Sequence, residues 1–169
     1  MRFLIIFIFL FSNSFANEYL DTKNIVINKK LKKYDGLTFL DDKNQLLNLE
    51  NYRGNLIILN FWATWCTPCK EELPSLDSLQ TNDNLKDLKI FPINVGQESV
   101  KKTKLFFNEL NIKNLNLYFD SPVTLAKKLS LRGIPTSILF NKKGEEFERI
   151  IGLIDFEDHN FIEWLSSYN

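Results

Sequence analysis

The stretch NLIILNFWATWCTPCKEELP, Asn55 to Pro74, decides most of what can be read from this chain. Leu56 to Trp62 is an almost unbroken apolar run, β-branched enough for a strand buried on both faces, as in a parallel sheet. From Cys66 onward the pattern turns helical, with Leu73, Leu76 and Leu79 recurring at a spacing of three and Pro74 expected as a kink. At the junction lie Cys66-Thr67-Pro68-Cys69, and these two cysteines are the only ones in the chain. A metal clip, a structural staple and a reactive pair are the three readings to weigh.

The start of the chain sets the compartment. Met1-Arg2 gives a short positive beginning, Phe3 to Phe11 a compact apolar run, and Ser14-Phe15-Ala16 small residues at a cleavage site. Residues 1–16 therefore read as a secretory signal peptide, with an uncleaved anchor in the inner membrane as the alternative. The run is short for a span of about 20 apolar residues. The expected location is the periplasm, where disulfides persist. A staple closing so small a ring would contribute only roughly 2 kcal/mol, against about 4.7 for a hundred-residue loop. Zinc needs about four ligands, and the only histidine, His159, lies near the far end. No metal and no cofactor is expected, and the reactive pair remains.

The chemistry suits the place. A strand that ends and opens a helix puts Cys66 at the helix N-terminus, where unpaired amides and the dipole favour an anion. A thiolate is the nucleophile of disulfide exchange, and such a setting lowers its pKa. Cys69, one turn later on the same side, can then resolve the mixed disulfide. Pro68 withholds one amide from the thiolate, which makes the site less oxidising than one with more donors.

The rest of the 169 residues fits one domain. Acidic and basic residues number 21 each, so no basic excess argues for nucleic acid, and the Lys29-Lys30 and Lys32-Lys33 pairs read as solvated. Residues 17–36 read as an extended leader, and residues 37–169 as the domain. Leu37 to Leu49 has two apolar runs around Asp41-Asp42-Lys43-Asn44, a hairpin. Strands are expected at Leu88–Val95, Leu115–Asp120, Pro135–Phe140 and Glu146–Gly152, the last two joined by a turn at Asn141–Gly144. Helices are expected at Glu98–Leu110, with Val100, Phe107 and Leu110 on one face, and at Val123–Leu129. A last helix, capped by Asp155, runs to Ser166 with Phe161, Ile162 and Leu165 inward. Strands alternating with helices give an α/β sheet with an antiparallel edge.

FWATWCTPCK, Pro74 in the following helix, and RGIPTSILF (Arg132 to Phe140) together resemble the thioredoxin fold, and more closely the TlpA and ResA type of thiol–disulfide oxidoreductase. The N-terminal hairpin, an inserted helix–strand unit from Glu98 to Phe119, and Asn60 in place of the buried acid of thioredoxin point to that branch. The resemblance implies that Pro135 is a cis-proline opposite the Cys66–Cys69 disulfide, with Ile134 offering its backbone to an extended substrate. It implies that Glu72 tunes proton transfer at the cysteines; a helix-dipole role is the alternative for Glu72. Trp65 and Pro68 would join the docking surface and Trp62 the core, while Glu71, Lys70 and His159 read as solvated.

The activity so implied is reduction of client protein disulfides, for instance those of apocytochrome c in cytochrome c maturation or of copper-site proteins. A membrane thiol carrier would then restore the dithiol. A disulfide oxidase or isomerase shares the fold and differs in redox poise. A peroxidase of the peroxiredoxin class needs Pro and Thr where this chain has Leu59 and Ala63. A copper-binding assembly chaperone would need His159 near the cysteines.

Overall fold

The computed structural model describes residues 25–168. The expected signal peptide and the first part of the leader lie outside the described residues. Eight strands form one mixed sheet in the order β1-β8-β7-β4-β5-β6-β2-β3. Strand β4 (Leu56–Trp62) is its centre, parallel to β5 (Leu88–Asn94) and antiparallel to β7 (Thr136–Phe140). The expected α/β thioredoxin-like architecture, with an N-terminal hairpin and an inserted helix–strand unit, is the one found.

The apolar run of β4 is continuous because both faces are covered. Leu56, Ile58 and Trp62 enter the core beside α1 (Thr67–Leu79) and α4 (His159–Ser166), with Leu73, Leu76, Phe156, Phe161 and Leu165. Ile57, Leu59 and Phe61 enter a second core beneath α3 (Leu125–Lys128) and the hairpin, with Phe39, Phe91, Leu125, Ile138 and Phe140. Successive strand residues point to opposite faces, so Asn60 shares the face of Ile58 and Trp62. Every residue of β4 is buried, and each large side chain so covered contributes roughly 1.5–3 kcal/mol of transfer free energy.

The hairpin is β2 (Thr38–Asp41) with β3 (Leu46–Asn48), and β2 also pairs with β6 (Tyr118–Phe119). Strand β6 is shorter than the apolar pattern of Leu115–Asp120 suggests. The Asp77 carboxylate of α1 accepts the backbone N–H groups of Lys113, Asn114 and Leu115, holding that backbone out of the sheet. The shortness of β6 also suits Pro92, because β5 meets β6 only at Ile93 and Asn94. A proline there leaves no ladder donor missing.

The described part of the leader does more than extend. Ile25–Lys33 is β1, an edge strand antiparallel to β8 (Glu145–Ile151). Its exposed lysines, Lys30, Lys32 and Lys33, mark it as an edge guarded against further pairing. Tyr34 anchors the end of the leader by donating to Glu146 at 2.8 Å, and Glu146 is also held by Arg149 at 2.9 Å.

The last helix begins later than its first candidate cap. Asp158 caps α4, its carboxylate accepting from Phe161 N at 2.9 Å, while Asp155 accepts from Glu157 N in the preceding turn. Between them Phe156 is fully buried, and its N–H donates to the Ser75 hydroxyl of α1 at 3.1 Å. That contact ties down the chain ahead of the helix, so Asp155 belongs to the turn. Helix α2 (Val100–Glu109) is capped by Ser99; Phe106 and Phe107 form its buried face, with Val100 and Leu110 at the margin. Among the described residues no helix is long and apolar enough to cross a membrane.

Candidate functional site

Strand β4 ends at Trp62, whose indole is fully buried against Phe106 and Phe107 at 5.4 and 5.2 Å. Four residues later the chain enters α1. Cys66 is its N-cap, in an extended conformation, with Thr67 and Pro68 as the first helical residues. The Cys66 sulfur accepts from Cys69 N at 3.3 Å, the donation that a capping side chain normally takes at this position. Cys66 and Cys69 form a disulfide with their Cα atoms 5.3 Å apart. Cys69 is sealed in the core, and Cys66, at 5% exposure, is the sulfur nearer the solvent. Thr67, Pro68 and Lys70 are exposed around it, and Trp65 stands out at 68% exposure.

Glu72 follows Cys69 by three residues, so the two share the sheet-facing side of α1. The carboxylate is buried, at 2% exposure, and accepts from Asn60 Nδ2 at 2.7 Å. The same amide nitrogen donates to Ser137 Oγ at 3.0 Å, because Asn60 of β4 lies opposite Ser137 of β7. Burial pushes the Glu72 carboxyl up to about 8; donation from Asn60 and from the Ile154 backbone only partly offsets it. Glu72 is therefore not a surface acid in the first turn complementing the dipole: α1 has no acid there, and Glu72 faces the sheet. Glu71, next to it, is exposed.

The second arm of the site comes from β7. Thr136 lies opposite Phe61 near the end of β4, which brings the preceding Pro135 to the same sheet edge as the cysteine loop. The Ile134–Pro135 bond is cis; Pro135 is buried, Ile134 half-buried, and the Pro135 carbonyl accepts from Gly152 N. A second cis bond, Ser121–Pro122, lies before α3 and was not expected from the sequence.

His159 opens α4 with its side chain 89% exposed, 4.0 Å from Glu163. Among the described residues no group of three or more His, Cys, Asp or Glu side chains is placed to hold a metal ion.

Two polar groups of the site carry no sequence signal of their own. Ser137 enters through strand register alone. Glu98, ahead of α2, receives the N–H and hydroxyl of Thr64 in the cysteine loop. Asn60 was visible only through the family resemblance, as the residue in place of thioredoxin's buried acid.

The sequence matches the AhpC/TSA family over residues 26–145. It is 31% identical over 110 residues to the thiol-disulfide oxidoreductase ResA of Geobacillus kaustophilus, an alignment covering 65% of this chain and 62% of that protein. It is 35% identical over 101 residues to the sporulation thiol-disulfide oxidoreductase A of Bacillus subtilis, covering 59% of this chain and 61% of the relative. The chain thus aligns with about three-fifths of the length of each of these two relatives. The crystal structure of StoA from Bacillus subtilis superposes with a TM-score of 0.61 at 29% identity, covering 78% of this chain and 95% of StoA.

Proposed function

The chain belongs to the AhpC/TSA family as a thiol–disulfide oxidoreductase of the TlpA and ResA type, and from that premise we propose that it is a periplasmic reductase of client protein disulfides. One observation carries this: a disulfide at the start of α1, with Cys66 the less buried of the pair and a buried carboxyl one turn behind Cys69.

The Cys66 thiolate attacks a client disulfide, forming a mixed disulfide and releasing one client thiolate. Cys69, as thiolate, then attacks Cys66 Sγ, releasing the second client thiolate and closing the Cys66–Cys69 bond. Two electrons pass to the client, and the two released thiolates take up protons. The Glu72 carboxyl, pushed up to about 8 by burial, holds its proton near neutral pH and exchanges it with Cys69, one turn before it on the same side of α1. Asn60, itself bonded to Ser137, holds the carboxyl in place for that exchange. Trp65, Pro68, Ile134 and Pro135 form the rim on which an extended client segment lies.

The reductive direction rests on the sparse stabilisation of the thiolate. Cys69 N is the donor on Cys66 Sγ, and Pro68 brings no N–H to the helix start. A thiolate held by few donors favours the oxidised pair, which makes the dithiol a better electron donor. The client class is a cysteine pair awaiting haem or copper, and the donor that restores the dithiol is a membrane thiol protein.

The test mixes reduced protein with a disulfide-closed CxxCH peptide, the haem-attachment sequence, at equal concentrations. Near-complete transfer of two electrons to the peptide, abolished by Cys66→Ser, is expected. A peptide that stays oxidised while the protein stays reduced would rule out the reductase.

A further inference from the structure

The Glu98 side chain is nearly buried, at 5% exposure, although it lies in the loop before α2 and far from Cys66 in sequence. Its carboxylate is filled with donors. Thr64 N donates to Oε2 at 3.0 Å and the Thr64 hydroxyl donates to Oε1. Asn94 Nδ2 donates to Oε2 at 2.8 Å, and Lys102 Nζ reaches Oε1 at 2.6 Å. Burial pushes the carboxyl up, but the Lys102, Thr64 and Asn94 donors outweigh it and hold Glu98 down at about 2.

The surroundings are shaped for this side chain. Asn94 ends β5 opposite Trp62, and its Oδ1 accepts from Gly96 N at 3.0 Å, turning the loop back. A Cβ at residue 96 would come within 2.8 Å of Glu98 Oε2 and 3.1 Å of the Ala63 methyl. Glycine there leaves room for the carboxylate against the cysteine loop.

Thr64 stands between buried Ala63 and exposed Trp65, two residues before the nucleophile. We propose that Glu98 is a positioning residue for thiol–disulfide exchange: through Thr64 it fixes the loop Ala63–Trp65 and so holds the Cys66 sulfur on the Cys69 N–H at the start of α1. The inserted unit is thereby part of the redox site, although none of its side chains takes part in the exchange. This rests on the chemistry of the Cys66–Cys69 pair and not on the direction in which it runs, so it stands or falls separately from the reductase proposal.

The test is the pH profile of Cys66 alkylation by iodoacetamide in the reduced full-length chain, with the labelled cysteine identified by mass spectrometry. Losing alignment with a helix start of ordinary strength corresponds to about a two- to fivefold change in thiolate fraction. Glu98→Ala is expected to move the midpoint to higher pH and to slow labelling near neutrality by that factor. Glu98→Gln still accepts the Thr64 N–H but has lost the charge, so its midpoint stays with the parent or falls below it. Removing a nearby negative charge, with no positioning effect, would move the midpoint the other way. An unchanged or lower midpoint in Glu98→Ala, or a rise as large in Glu98→Gln, overturns the proposal. Should Glu98→Ala fail to fold, Thr64→Val removes only the hydroxyl donor; a smaller upward shift is then expected, and none overturns it.

Discussion

Replacing Glu72 by Gln removes one buried titration while keeping the side chain's shape and its acceptor for Asn60. In the folded protein burial raises this carboxyl from 4.5 to about 8. Between those pH values the unfolded chain has released the proton and the folded chain still holds it. The folded state therefore binds more protons, and stability falls as pH rises through the window, levelling above about 8. The full displacement corresponds to on the order of 5 kcal/mol, a ceiling reached only if the site stays dry. Glu148, raised by burial to about 7, adds a loss of the same sign, so the parent protein alone does not isolate Glu72. The difference between parent and Glu72→Gln does. The assay is urea unfolding of the oxidised protein from pH 4.5 to 9, a form in which the cysteines do not titrate. The stability advantage of the Gln variant is expected to grow by about 2–5 kcal/mol from the acid end to pH 8 and then stay constant. Growth of less than about 1 kcal/mol would show that Glu72 ionises at an ordinary pH, and its proposed exchange of a proton with Cys69 would go with it.

Cys69→Ser leaves the outer nucleophile without its resolving partner, so mixed disulfides with clients should accumulate at Cys66, visible on non-reducing gels and lost on adding thiol; trapping by Cys66→Ser instead would reverse the assigned roles. At the C-terminus, Asp158→Ala removes the cap of α4 and should cost about 1 kcal/mol in chemical denaturation. Asp155→Ala, which loses only a turn contact to Glu157, should cost less; the opposite order would move the cap back to Asp155.

The centre of the fold was legible because its signals are periodic. The Leu56–Trp62 run, apolar at every position but Asn60, reads as a strand covered on both faces, and the leucines at a spacing of three after the CxxC read as a helix packing on that sheet. Asn60 was legible through the resemblance, as the residue in place of thioredoxin's buried acid. What it exchanges hydrogen bonds with was not, since Ser137 is 77 residues away and is brought there by register. The same holds for Glu98, whose contact with Thr64 spans 34 residues between two loops that carry no repeat. The cap of α4 was misplaced because Asp155 and Asp158 are both plausible N-caps, and burial of Phe156 settles which one is used. Strand β6 was overestimated because Leu115 and Leu117 are buried as a strand's residues would be, while Asp77 takes the backbone donors instead. The lysine-rich end of edge strand β1, Lys30–Lys33, lacked a pattern because it faces solvent and has little apolar face to show.

The redox equilibrium of the Cys66–Cys69 pair, titrated against a thiol buffer of known potential, tests the central claim most directly. A potential near or below about −220 mV is expected of a protein that donates electrons to client disulfides. A value near about −120 mV belongs to a strong oxidant and would contradict the reductase, leaving the same two cysteines to make disulfides rather than break them.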